Sequence, residues 1–169
     1  MVTSQRWLSD REQRAWRSFM SMQARLRGNL ARQLQRDSGL SDADYEILVN
    51  LSEAPGQRLR AYQLGESTNW EKSRLSHHLT RMERRGLVRR ERCAEDPRYA
   101  DVILTPDGRT AIEEAAPRHV ANVREWFVDV LTPEQLDLFA AACDAVMAKL
   151  ESDCAAQPAE TCGPSEDCP

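Results

Sequence analysis

The apolar residues change period twice between residues 71 and 108, and this narrows the folds open to the chain more than any other feature. Leu75, Leu79 and Met82 recur at helical spacing. At about 100° per residue, Leu79 and Met82 fall within about 40° of Leu75. Ser73, Ser76, His77, Thr80, Arg81 and Arg84 then lie on the far side, with Arg74 at its margin. Gly86 fits a helix C-cap. Residues 87–92 and 99–104 have β-type composition, and Ala94-Glu95-Asp96-Pro97-Arg98 between them has turn chemistry. Thr105-Pro106-Asp107-Gly108 opens a further helix, with Thr105 or Asp107 as its cap. The sequence therefore predicts helix, hairpin and helix in quick succession.

Helical patterning surrounds this stretch. Ser9-Asp10-Arg11-Glu12 reads as a capping box. The helix it opens carries Trp16, Phe19, Leu26, Leu30 and Leu34 on one stripe and stops at Ser38-Gly39. Ser41-Asp42-Ala43-Asp44 gives a second start, with Tyr45, Ile47, Leu48 and Leu51 inward and Pro55-Gly56 as the stop. A short third helix fits residues 60–67, and the fourth spans about 70–85. The helix after the hairpin is predicted to reach about Val130, disturbed at Pro117, which cannot donate a backbone hydrogen bond. Thr132-Pro133-Glu134-Gln135 starts a last helix with a cap, a Pro at the first helical position and a capping-box Gln. Its Leu136, Phe139, Cys143, Val146 and Leu150 follow the 3-4-3-4 spacing of a helix-pairing seam. The first helix has an equally long stripe, which predicts a homodimer built from both chain ends.

The net charge of −4 argues against a nucleic-acid partner until its distribution is considered. Residues 58–92 hold ten Lys/Arg against four Asp/Glu, a local +6, whereas residues 153–169 hold four acids and no base. Phosphate affinity follows the local patch. A solvated charged surface would give the same run, so the patch alone leaves both readings open. Arg outnumbers Lys by 21 to 2. That suits bidentate contacts to phosphate and guanine, although a GC-rich genome gives the same bias. A polar, basic helix followed by a basic hairpin matches a DNA duplex: the helix fits the major groove and the hairpin reaches the adjacent minor groove.

Other classes are disfavoured. No apolar run approaches the length of a membrane-spanning helix, and the N-terminus MVTSQRWLSDREQ lacks a signal-peptide core, so no membrane partner and a cytoplasmic location are expected. The five cysteines (Cys93, Cys143, Cys154, Cys162 and Cys168) are odd in number and contain no C-x-x-C, against both a disulfide framework and a zinc site. His77 and His78 are adjacent and point about 100° apart on a helix, so they do not readily chelate one ion. His77 is expected to face the duplex and His78 to pack beside the core. No metal and no cofactor is expected. Paired carboxylates, a nucleophile–base pair and a phosphate loop are all missing from the sequence, so it does not read as an enzyme. Cys143, on the apolar stripe, is expected to be an inert core thiol. Cys93 has Arg90 and Arg92 nearby to lower its pKa, which keeps an oxidant-sensing alternative open; a strand residue without redox chemistry is the preferred reading. Trp16, Phe19, Met20, Met22 and Trp126 could line an effector pocket, but packing is the commoner use of such a stripe.

The order of elements, with DPRYADVILTPDG and SRLSHHLTRMERRGLV, resembles the MarR family of winged helix-turn-helix regulators over roughly residues 9–150. The first segment is similar to the family's wing motif, carried here by Asp96, Arg98, Leu104, Thr105 and Gly108. The second resembles the recognition helix and its exit into the wing. The resemblance implies a mainly α fold: a winged helix-turn-helix with a two-stranded β-hairpin wing and N- and C-terminal dimerisation helices. The corresponding regions are an N-terminal dimerisation helix at 1–40, a DNA-binding core at 41–106, C-terminal dimerisation helices at 107–152 and a disordered acidic tail at 153–169. The resemblance also implies a homodimeric regulator, a repressor that responds to a small-molecule effector and binds double-stranded DNA at a pseudo-palindromic operator. Ser73, Arg74, Ser76, His77 and Arg81 occupy recognition-helix positions, with Thr80 and Arg84 on the same face. Arg98 is the wing-tip Arg for the minor groove, and Asp96 is the acid that braces the wing. The His77-His78 pair, Glu71 in place of a small cap residue, and the Cys-bearing tail depart from the family pattern. A winged-helix module that binds protein instead of DNA is the alternative from another class.

Overall fold

The computed structural model of the chain describes residues 6–92 and 100–156. It is mainly helical, in the order α1 (Asp10–Ser38), α2 (Asp42–Glu53), β1 (Arg58–Arg60), α3 (Ala61–Thr68), α4 (Lys72–Arg84), β2 (Val88–Arg92), β3 (Ala100–Leu104), α5 (Pro106–Trp126) and α6 (Pro133–Ala156). The chain divides into two compact units, the first running through Trp126 and the second beginning at Phe127.

Local chemistry sets most of the boundaries. Ser9 and Glu12 form the capping box of α1, and Gly39, in the left-handed conformation, ends the helix. Ser41 and Asp44 form a second capping box on α2. Asn69, also left-handed, ends α3 and turns the chain toward α4. Thr105 caps α5: its hydroxyl accepts from the Gly108 N–H at 3.0 Å.

Two glycines of the hairpin region are there for geometric reasons. Gly86 sits at φ +74, where a side chain is strained. Gly108 is needed for close approach, since a Cβ there would lie 2.0 Å from the Leu87 carbonyl oxygen. The first turn of α5 thus presses directly on the chain leaving α4, and Thr105 also bonds to the Gly86 carbonyl. The Thr and Gly of the wing motif lock the base of the hairpin.

The core lies between α2, α3, α4, α5 and the sheet. Ile47, Leu48, Leu51, Leu64, Met82 and Val102 are fully buried in it. Each such aliphatic side chain contributes about 1.5–3 kcal/mol relative to exposure. The sheet has three antiparallel strands in the order β1-β3-β2, so the hairpin gains a strand that the sequence reading did not include. Arg58 pairs with Ile103 and Arg60 with Asp101. Three residues are too few to show a period of two, and their partner strand is more than 40 positions away.

Three further expectations are corrected. The helix predicted to reach Val130 ends at Trp126, and a short 3-10 turn covers Val128–Val130. Pro117 lies inside α5 without breaking it. Cys143 is exposed and is not a core thiol, because the apolar seam of α6 lies largely uncovered in the single chain.

Candidate nucleic-acid interface

Helix α4 separates cleanly into two faces. Leu75, His78, Leu79 and Met82 are buried. Ser73, Arg74, Ser76, His77, Arg81 and Arg84 are all exposed. This is the division expected from helical spacing, with His78 beside the core. Thr80 is half-buried and already bonded within the fold: its hydroxyl donates to the Ser76 carbonyl at 3.0 Å and accepts from Arg90 at 3.1 Å. Arg74 stacks on Trp70, its guanidinium carbon 4.1 Å from the ring centroid. That contact fixes the stem of an otherwise mobile side chain.

Strand β2 is tied to the same helix. Arg90 donates to Glu83 through Nε at 3.1 Å and through its terminal nitrogen at 2.7 Å, and its backbone N–H reaches the other oxygen at 3.1 Å. These hydrogen bonds hold the Glu83 carboxyl below the usual carboxylate range. The hairpin is therefore braced against the helix it follows, and the one acid in the last turn of α4 is neutralised. Across the sheet, Arg58 lies 3.6 Å from Glu91 and 3.8 Å from Asp101. Glu83, Glu91 and Asp101 are thus paired, whereas Arg84 and Lys72 show no ion pair among the described residues.

A buried polar cluster lies behind the helix. The Asp44 carboxylate accepts from His78 Nε2 at 2.9 Å and from Arg85 at 2.7 Å, and Arg85 also donates to the Gly39 carbonyl at 3.0 Å. Burial pushes the Asp44 carboxyl upward; hydrogen bonds from His78, Ser41 and Arg85 outweigh it and hold the group well below the ordinary aspartate value. Sequence reasoning assigned Asp44 only to a helix cap and missed Arg85, Arg90 and Glu83 as supports of the site. The placement of His78 beside the core was the available signal, since a buried imidazole needs polar partners.

Residues 93–99 lie outside the described residues, and with them Cys93, Asp96 and Arg98.

A cavity of about 430 Å³ opens between α1 and α5, with Leu34, Asp37, Ala115, Arg118, His119 and Asn122 in its wall. Burial pushes the His119 imidazole below its ordinary pKa, and its Nδ1 has no hydrogen-bond partner among the described residues. The suggested pocket residues Trp16, Phe19, Met20, Met22 and Trp126 are not in that wall.

Comparison with known proteins decides the family. The MarR family profile matches residues 38–98. AbsC, a MarR family transcriptional regulator from Streptomyces coelicolor, superposes with a TM-score of 0.84 at 43% identity, covering 88% of this chain and 99% of that one. The chain belongs to the MarR family. A second MarR family regulator from the same organism, Sco3205, solved in complex with DNA, has a TM-score of 0.84 at 40% identity over 94% of this chain and 96% of its own. The transcriptional regulator HosA of Escherichia coli O127:H6 is 35% identical over 100 residues, 59% of this chain and 72% of HosA. The match to the transcriptional repressor YetL of Bacillus subtilis is 29% identical and spans 60% of each protein. This chain is thus a MarR-family transcriptional regulator with the winged-helix fold, and these relatives are regulators and not enzymes. Among the described residues no helix is long and apolar enough to cross a membrane.

Proposed function

We propose that the chain is a homodimeric, sequence-specific double-stranded DNA-binding repressor that works in the cytoplasm on a pseudo-palindromic operator. The observation that carries this is the exposed face of α4, which presents Ser73, Arg74, Ser76, His77, Arg81 and Arg84 while its apolar side is buried. All six are donors, small or positively charged, and Arg and His side chains of this kind bond to base edges and phosphates. The Sco3205–DNA complex supports the reading by its shared fold and 40% identity. In this reading residues 41–106 read DNA, and residues 1–40 and 107–152 form the dimer. Arg98 enters the minor groove, where a narrow A·T tract attracts a guanidinium, and Asp96 steadies the hairpin that carries it. Thr80 helps to orient the wing through Arg90.

The cavity between α1 and α5 supports an effector-responsive form of the same function. It lies where a small molecule could alter the angle between the first helix and the DNA-reading core.

Selection of bound duplexes from randomised DNA by the full chain tests the operator reading. Two inverted half-sites with centres about one helical turn apart are expected. Recovery of unrelated sequences would speak for the protein-binding alternative.

A further inference from the structure

His78 is placed between a buried anion and an exposed cation. Its Nε2 lies 2.9 Å from Asp44 Oδ1, and its Nδ1 lies 2.7 Å from a terminal nitrogen of Arg81. An ionised carboxylate only accepts hydrogen bonds and a guanidinium only donates them. The imidazole must therefore donate at Nε2 and accept at Nδ1, which specifies one neutral tautomer. Asp44 is itself fixed by the Ser41 backbone N–H at 2.9 Å and by Arg85 at 2.7 Å. The edge contact with Trp70, at a centroid distance of 5.4 Å, fixes the plane of the His78 ring.

We propose that His78 is a positioning residue for Arg81: the chain Asp44–His78–Arg81 holds the guanidinium from its buried side, and base preference under Arg81 depends on it. This rests on the reading of α4 as the DNA-reading helix. An exposed Arg samples many rotamers and loses that freedom when it binds. One held in advance loses less, and holds its remaining donors in a fixed direction. Only one nitrogen of Arg81 bonds to His78, and the guanidinium has five N–H groups, so donors remain for a base or phosphate. The anchor of this chain is the first turn of α2, which couples the fit of α2 against α4 to the aim of a side chain on the opposite surface.

A buried His–Asp pair that serves folding alone would lower stability when removed and leave sequence preference intact. The test therefore reads preference. Operator binding and single-base preference are measured for the full chain as wild type, His78→Gln, His78→Leu, Arg81→Ala and the double variant His78→Leu/Arg81→Ala, each at a temperature where its melting curve shows it folded. Arg81→Ala is expected to flatten preference at one symmetric pair of positions. His78→Leu should flatten the same pair, with about a three- to tenfold loss of discrimination. His78→Gln, which keeps a donor and an acceptor on one planar group, should restore most of it. In the Arg81→Ala background His78→Leu should change nothing further in the profile.

Equal effects of His78→Leu with and without Arg81, or stability loss with preference intact, would overturn the proposal. No effect of Arg81→Ala, with specific binding by wild type retained, would overturn it while leaving the operator reading in place. Failure of wild type to bind any sequence specifically would overturn both. Should His78→Leu not fold, nitrogen NMR of the wild type decides: the Nε2–H tautomer with a restricted Arg81 guanidinium is expected, and the Nδ1–H tautomer or a freely rotating guanidinium contradicts it.

Discussion

The winged-helix core and the two chain-end helices obey different rules. In the core, Leu48, Leu51, Leu64 and Val102 are fully buried, and its buried carboxylate Asp44 is paired with Arg85. On α1 only Leu34 is buried, while Trp16 is 55% and Phe19 41% exposed; on α6 Val146 is 60% and Leu150 54% exposed. Apolar patches of this kind on a folded chain mark surfaces that meet another molecule. The core covers its own apolar residues, whereas the ends leave theirs exposed, and in the proposed dimer a second copy covers them. One class of substitution should therefore change stability, and another should change association.

That contrast can be broken at its strongest point. Leu48→Ala is expected to destabilise the chain by about 2–5 kcal/mol through transfer and cavity costs. Leu150→Ala should alter the stability of the single chain by less than about 0.5 kcal/mol while weakening association between copies. Denaturation at low concentration and sedimentation equilibrium separate the two effects. A Leu150 variant that unfolds like Leu48→Ala and stays dimeric would erase the distinction.

Acid should sharpen it. Two groups, the half-buried His119 and the buried Asp44, titrate lower in the folded state than in the unfolded chain. Burial lowers the His119 pKa, so the unfolded chain takes up a proton first, and stability is lost as pH falls below the ordinary histidine value of about 6.5. Asp44 is also depressed; its contribution is complete above the ordinary aspartate value of about 3.9 and is lost as pH falls further. Asp44→Asn should cost about 2–3 kcal/mol at neutral pH and remove part of the loss below that lower range. Melting temperatures from pH 7 to 3 check this, and an unchanged acid limb in the variant would remove Asp44 from the account.

The wing should change binding and leave stability alone. Arg98→Ala is expected to weaken operator binding by about 1–3 kcal/mol with no change in melting temperature. Titration of labelled operator at fixed salt measures it, and full retained affinity would take Arg98 out of the interface.

How legible each part was in the sequence follows the range of the interactions that make it. Capping boxes at Ser9 and Ser41, the stops at Gly39 and Gly86 and the buried stripe of α4 are local, and all were read correctly. The exposed face of α4 followed from the same spacing. What escaped depends on partners far along the chain. Strand β1 exists only because Arg58 meets Ile103. Asp44 and His78 are 34 positions apart, so the capping acid of α2 gave no sign of its second bond. Thr80 sits on the polar face by angle, yet β2 folds over it and Arg90 takes its hydroxyl. The exposure of Cys143 was missed for a different reason: an apolar stripe states that a face needs covering and not which molecule covers it.

The central claim is that the exposed face of α4 reads base pairs. Binding profiles of Arg74→Ala and His77→Ala across all single-base changes of the selected operator test it most directly. Each variant is expected to lose preference at particular positions, repeated symmetrically in both half-sites, while other positions keep theirs. Profiles lowered by one uniform factor at every position would contradict the claim and leave these two residues as phosphate contacts.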